Sequence, residues 1–593
     1  MSRCIFFLLL AVWIFPATGV ALPTRLVLAL DGIAYRDMKA LQEGVTCTNF
    51  WGRQFQRRAF SSDEGYFPVS RMVSTFPSTS DVAWTDIFGD RPLPGYQRTY
   101  FSTAANSEII ENGVTTSMEH ERQMNWQVNS GFIRSMGYLY PVHIFGYELD
   151  GLVKNFWKSG DANFYTYMRS SDDAQHMDRD IFSLLCNLDR QLQDLRARYR
   201  AQEGRDLQIV ILSDHGHNHA GPGQRVEIQS FLKKAGYRIA QSIVNPKDVV
   251  IPTAGIETWV EIHNSPAETE TLAELLTHLK GVDVLTARIP DQTNRFIVMD
   301  SKGGRAVIEW NPAKNAFRYS AETGDPLDYR PVNESLAQKN LLDADGFATA
   351  DAWMDETMTN HFPLALERIV RGLTRSTLNP ATILISLDSH YVNAGWLVQK
   401  GSQLVTCGST HGGLDDLDSD GILLSNFKPT KDDSSDRVAG LFDNFPGLRN
   451  YRAEENGAEW VTKEEQSLTR IARVRFDRNY KLLPDDDVFL RIWSPQFFTV
   501  DDETPVEVAI KKTPRFANAQ TDKEDTDLHL TFDQPVDFPD KCAYERIYAC
   551  PPGLVLEPQA EYQISGWMQN QGENIRLFEF IFHTNNRGRP AAF

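Results

Sequence analysis

Long apolar runs, cysteine and positive charge are all scarce in this 593-residue sequence, and each scarcity closes off a class of protein. Past the first two dozen residues, no segment offers the roughly eighteen continuous apolar residues that a helical membrane span requires. Six cysteines, none clustered at metal-ligand spacing, argue against a structural thiolate zinc site. Only 60 Lys and Arg stand against 79 Asp and Glu, and the formal charge of −19 disfavours a stable, non-specific nucleic-acid complex. It leaves room for a local cation site that attracts an anionic substrate against the mean field. Low-complexity tracts and short internal repeats are also missing.

The first residues have their own pattern. Arg3 precedes the wholly apolar stretch Ile5–Phe15, and small residues follow at Ala17, Gly19 and Ala21. This predicts a signal peptide over residues 1–21, cleaved after Gly19 or Ala21, and hence a secreted or periplasmic protein. A retained anchor is the alternative. Cys4 lies before the apolar run, which does not suit a lipid-attachment cysteine. Losing Arg3 with the leader would take the charge from −19 to −20 and leave five cysteines. Of these, Cys542 and Cys550 are close enough to close a small loop in an oxidising compartment, whereas Cys47, Cys186 and Cys407 are widely spaced.

Chemistry-bearing residues recur at the ends of apolar runs. Leu207–Leu212 stops abruptly at Ser213, Asp214, His215 and Gly216, as a buried strand does when it delivers side chains at its carboxyl end. Leu26–Leu30 ends the same way at Asp31 and Gly32; a helix-capping Asp is the alternative. Asp172 and His176 precede an amphipathic pattern running to about Tyr199. If the helix reaches back to Asp172, the two lie one turn apart on one face. Taken alone, an acidic helix start with an incidental His is the plain reading. His411 sits in a Gly-rich turn, where a solvated His is the plain reading. His217 and His219 are expected to be pocket or supporting residues.

Between these lies Val73–Trp84, whose five hydroxyls offer nucleophiles or helix caps; Ser80 or Thr79 suits a helix start, and periodicity does not choose among them. Residues 94–170 read as a cap or long connections, and 225–300 as decoration of the main sheet, with a hairpin across Lys302–Gly304. Ile383–Leu387 reads as a strand ending on a capping Asp388. Asp416, Asp418 and Asp420 resemble the front of a calcium loop, but the twelfth position is Phe427 instead of Glu, so Ca2+ is not expected and a solvated acidic turn is. Beyond residue 445, short alternating runs suggest a C-terminal β-sandwich over 480–588 after a linker at 446–479.

Carboxylates and imidazoles together suit Zn2+, with Mn2+ or Co2+ as alternatives, and two such ions make sense for in-line transfer. The order of motifs resembles the alkaline phosphatase superfamily, most closely its nucleotide pyrophosphatase/phosphodiesterase-like branch. The resemblance spans residues 24–445 and implies an α/β fold, an alkaline-phosphatase-like sandwich with a central, mostly parallel sheet. It implies one zinc on Asp172, His176 and His411 and a second on Asp31, Asp214 and His215, beside Thr75, which precedes the Phe76–Pro77 pair as the family's nucleophile does. Asn106 stands as the candidate for binding a phosphoryl oxygen.

The implied activity is hydrolysis of a small anionic phosphate ester, a phosphodiester or pyrophosphate before a monoester, through a threonyl-phosphate. Two departures bear on substrate class: Ser78 replaces the usual Asn after Phe-Pro, and Gln175 replaces the usual Gly before His176. The formylglycine-forming cysteine motif of sulfatases is missing. The C-terminal region looks like an Ig-like module. A phosphomonoesterase and a non-catalytic extracellular binding protein are the competing functions, and the sequence specifies no oligomeric state.

Overall fold

The computed structural model describes residues 22–427 apart from 49–51, 90–91, 111–119, 122–123, 131–132, 135, 222, 254 and 395–407, and beyond 427 the backbone of individual strands. The leader, Cys407 and the Cys542–Cys550 pair lie outside the described residues. Among the described residues, no helix is long and apolar enough to cross a membrane.

Six strands form the sheet that carries the site: β1 (Arg25–Leu30), β2 (Ser70–Val73), β3 (Asn163–Met168), β4 (Gln208–Leu212), β5 (Asp420–Ser425) and β6 (Ser435–Arg437). Their spatial order is β6-β2-β5-β4-β1-β3. β1 pairs in parallel with β3 and β4, and β6 with β2, while β5 runs against both its neighbours. The sheet is therefore mixed, with β5 reversed in an otherwise parallel set.

The apolar runs follow from burial on two sides. Leu26, Leu28 and Leu30 of β1 and Ile209 and Ile211 of β4 pack into one core, while Val27, Ala29, Val210 and Leu212 face another. A strand covered on both faces has no polar side to show, which is why the sequence runs apolar without alternation. Each fully buried Leu or Val contributes roughly 1.5–3 kcal/mol. The first face is covered by the helices Pro141–Phe156 and Ile181–Glu203 through Phe145, Leu149, Leu152, Leu185, Leu188 and Leu192. The second is covered by α1 (Ser80–Phe88), through Trp84, Ile87 and Phe88.

Residues 225–300 do not decorate this sheet. They join Ile383–Leu387 in a second, nine-stranded sheet that is antiparallel except for the pairing of Arg238–Ile239 with Asp248–Val250. It has its own cores, around Leu285 and Ile385 on one side and Phe296 and Leu384 on the other. The expected hairpin is present as Arg295–Asp300 against Arg305–Asn311.

Beyond residue 445, the expected strands pair into two four-stranded antiparallel sheets, with no closed sandwich among the described residues. The stretch expected as linker contains a strand, Gly457–Thr462, paired with Val488–Ser494. Cys47 and Cys186, which spacing left apart, form a disulfide across 139 residues of sequence.

Candidate metal centre

Strand register brings the scattered residues to one edge. Leu30 is level with Met168, and Ala29 with both Tyr167 and Leu212, so the turns leaving β1, β3 and β4 open side by side. Asp31 comes directly after β1, and its N–H donates to the Met168 carbonyl at 3.1 Å. Asp172 and His176 lie on a separate short helix, α2 (Ser170–His176), because the chain takes a left-handed turn at Asp178 before the long helix begins at Ile181. The expected one-turn spacing survives this break: His176 Nε2 is 3.4 Å from Asp172 Oδ2. Because β5 is reversed, its start at Asp420 meets the end of β4, and the loop that carries His411 arrives at the same edge.

Two groups result, within each of which the ligand atoms lie within 4.8 Å of one another: Asp31, Asp214 and His215, and Asp172, His176, His217 and His411. The His215 and His411 rings stack at 3.7 Å between centroids, so the groups adjoin. All six residues expected as ligands are present in these groups. His217, expected only as a neighbour, belongs to the second, with Nε2 2.7 Å from Asp172 Oδ1. His219 is in neither group and contacts Asp37 at 3.2 Å.

Three of the four imidazoles have Nδ1 tied to a backbone carbonyl: His176 to Ser409, His215 to Gly216 and His411 to Ser78, each at 2.9 Å. In a neutral ring so tied, Nε2 would be the lone pair facing the group, the state a metal requires. In His217, Nδ1 meets Ser409 Oγ at 3.0 Å, and Nε2 again points inward. Gly32, at φ +70°, has no room for a side chain: an added Cβ would lie 2.8 Å from His217 Nε2 and 2.9 Å from Asp172 Oδ1.

The electrostatics fit a cation. Burial, followed by the charge of Asp172, raises the Asp31 carboxyl above its usual range, and burial followed by Asp31 raises Asp214 well above it. Burial would raise Asp172 too, but the His176 and His217 rings outweigh it and hold the carboxyl well below the usual range. Burial brings His217 down to about 3 and, with His215 beside it, pushes His411 well down. Asp214 Oδ2 is buried without a hydrogen bond. Carboxylates packed against imidazoles, one oxygen without a hydrogen bond, are a donor set for divalent ions such as Zn2+.

Supporting contacts fix these groups. Tyr167 OH and Trp84 Nε1 donate to the two Asp31 oxygens at 2.5 and 3.3 Å, and Gly32 N donates to Asp214 Oδ1 at 3.1 Å. Gln175 donates its amide to the Gly32 carbonyl at 2.6 Å. Of the acidic turn expected to be solvated, Asp418 and Asp420 are buried, and Asp416 is partly exposed. Asp418 accepts from Gly413 N at 2.7 Å and from the Thr258 hydroxyl, and Asp420 pairs with Arg71 at 3.2 Å, which braces the His411 turn.

Glu148 accepts from Ser170 N at 3.2 Å, anchoring α2, and burial pushes its carboxyl up to about 8 from the usual 4.5. A carboxyl raised on folding gives stability that is present below the unfolded value and lost as pH rises through the folded one. Between pH 4.5 and about 8, wild-type protein should therefore lose melting temperature faster than Glu148→Gln. Parallel curves in thermal scans across that range would refute the assignment.

The other two expected residues, Asn106 and Thr75, make contacts of their own. Asn106 is in an exposed hairpin turn, where its amide exchanges two 3.0 Å hydrogen bonds with the Ile243 backbone. Thr75 is buried, and its hydroxyl donates to the Pro77 carbonyl at 2.8 Å. Arg368 fixes this turn, donating to Thr75 O at 3.1 Å and Ser78 Oγ at 3.2 Å. Ser80 Oγ, in contrast, lies 3.2 Å from His215 Nε2.

No family model and no curated protein matches the chain. Among solved structures, it is similar to human ectonucleotide pyrophosphatase/phosphodiesterase 5, at 11% identity and a TM-score of 0.38 over 72% of this chain and 94% of that one. It is similar to phosphonoacetate hydrolase from Sinorhizobium meliloti 1021 in complex with phosphonoformate, at 11% identity and a TM-score of 0.38 over 72% and 95% of the two chains. An inactive form of murine ectonucleotide pyrophosphatase/phosphodiesterase 5, in complex with AMP, gives 10% identity and a TM-score of 0.35 over 72% and 94%. Likeness at this level establishes no family membership.

Proposed function

We propose that this chain is a secreted or periplasmic two-metal hydrolase of phosphate esters, acting on phosphodiester or pyrophosphate bonds. The observation that carries the reading is the pair of adjoining groups whose imidazoles have their Nδ1 atoms tied back and their Nε2 atoms turned inward. Asp172, His176, His217 and His411 would hold one ion, and Asp31, Asp214 and His215 the other. Divalent ions there would supply Lewis-acid charge, neutralising phosphoryl oxygens and favouring the ionised form of a nearby hydroxyl. Zn2+ suits the mixed oxygen and nitrogen donors, with Mn2+ or Co2+ as substitutes.

The chain supplies the rest. The hydroxyl-rich turn at Thr75–Ser80 offers the attacking oxygen, which the motif resemblance assigns to Thr75. Attack gives a phosphoryl-enzyme that water then hydrolyses, and two displacements retain configuration at phosphorus. Arg368 and the buried Asp418 keep the turns on either side of the site rigid, so little reorganisation remains for the reaction itself. The Cys47–Cys186 bridge supports an oxidising compartment. The span 24–445 as catalytic domain and the Ig-like character of 480–588 remain part of the proposal.

Turnover of bis-nitrophenyl phosphate should exceed that of nitrophenyl phosphate and fall on chelation, returning with Zn2+. A preference for the monoester would make the protein a phosphatase. Metal binding without turnover of phosphate monoesters, phosphate diesters or sulfate esters would make it a binding protein.

A further inference from the structure

We infer that Ser80, not Thr75, supplies the attacking oxygen; the inference rests on the hydrolase reading above and names the nucleophile within it. α1 presents two side chains one turn apart to the same metal group: Ser80 Oγ lies 3.2 Å from His215 Nε2, and Trp84 Nε1 donates to Asp31 Oδ1 at 3.3 Å. These two contacts fix the helix over the Asp31, Asp214 and His215 group. Because His215 Nδ1–H is committed to the Gly216 carbonyl, Nε2 is the ring atom that faces both the group and the Ser80 hydroxyl. An ion held there would have Ser80 Oγ, 3.2 Å from His215 Nε2, as a neighbouring hydroxyl.

The other hydroxyls of the turn are placed differently. Thr75 gives its proton to the Pro77 carbonyl at 2.8 Å and lines a small cavity with Asp86, Glu367, Arg368 and Arg371, none of which belongs to either metal group. Ser78 Oγ donates to the Thr75 and Gly413 carbonyls at 3.0 and 2.9 Å. Thr75 and Thr79 are 6% and 4% exposed, whereas Ser80 is half-buried and open to a ligand from solvent.

With bis-nitrophenyl phosphate, the Ser80 proton passes to water, an Oγ–P bond forms and one P–O bond breaks, the nitrophenolate leaving with the bonding pair. Water then forms a new O–P bond as Oγ–P breaks. Oγ regains a proton, and nitrophenyl phosphate is released.

The test is acid quench of metal-replete full-length protein during turnover of bis-nitrophenyl phosphate, followed by peptide mass spectrometry and metal analysis. The expected adduct is a nitrophenyl-phosphoryl group on Ser80, formed also by Thr75→Ala. Ser80→Ala should keep wild-type metal content while losing turnover by on the order of 1,000-fold or more, with partial return in Ser80→Thr. An adduct on Thr75, Ser78 or Thr79, or Ser80→Ala turning over within about tenfold of wild type, would overturn the assignment and leave the hydrolase reading standing. Wild-type protein that binds no metal or turns over no phosphate ester would overturn both.

Discussion

Asp214→Asn should reduce turnover by on the order of 1,000-fold or more, the several kcal/mol that a Lewis acid contributes, and should leave one bound ion per chain instead of two. The substitution is nearly isosteric and keeps an acceptor for Gly32 N–H, so the 3.1 Å hydrogen bond survives. What it removes is charge. Metal-free protein holds Asp214 buried against Asp31, with Oδ2 accepting no hydrogen bond and the carboxyl raised well above its usual range, so the charged form is a burden on the fold.

The variant should therefore melt at the same temperature as wild type or higher when metal-free, and lower when metal-replete. The sign can be checked against pH. A carboxyl raised on folding costs metal-free wild type increasing stability as pH rises above the usual 3.8, and Asp214→Asn should not show that loss. Thermal scans with and without chelator measure the crossover. A drop of several degrees in the metal-free variant would instead make Asp214 a structural residue.

His217→Ala should weaken the ion at the Asp172, His176 and His411 group by roughly 10- to 100-fold or more, and leave the other ion in place. The argument is geometric. Nε2 of His217 is 2.7 Å from Asp172 Oδ1, Nδ1 is held by Ser409 Oγ at 3.0 Å, and Gly32 has no side chain to separate the pair. With four candidate protein donors, this group would hold its ion more tightly than the three-donor group would hold the other. Competition with a chromophoric chelator should thus show two phases in wild type, the slower one lost in His217→Ala. Unchanged affinity would reduce His217 to a hydrogen-bond partner of Asp172.

What the sequence showed and what it hid divide along physical lines. Asp31 and Asp214 were legible because a strand buried on both faces writes itself as an uninterrupted apolar run, and the run's end marks the turn. Asp172 and His176 were legible as a one-turn spacing, although the helix carrying them ends sooner than the amphipathic pattern implied. His411 had only its motif. His217 carried a signal, a third metal-competent side chain in the run Asp214–His217. The ring's direction is nevertheless set by Ser409, 192 positions away.

The same distance hid other features. The turn at Asp416–Asp420 looks solvated from its charges alone, yet Asp418 and Asp420 are buried against Thr258 and Arg71, far off in the chain. The second sheet depends on Trp259–Asn264 pairing with Ile383–Leu387 across more than a hundred residues, which local periodicity does not encode. Motif order singled out Thr75 because Phe76–Pro77 follows it, whereas contact with His215 depends on where α1 begins.

The most direct test is a structure of zinc-loaded protein with anomalous scattering recorded on both sides of the zinc edge. The account predicts two zinc peaks per chain. One should be ligated by Nε2 of His176, His217 and His411 with Asp172, and the other by Asp31, Asp214 and His215 Nε2 with Ser80 Oγ alongside. A single peak, or peaks away from these seven side chains, would contradict it.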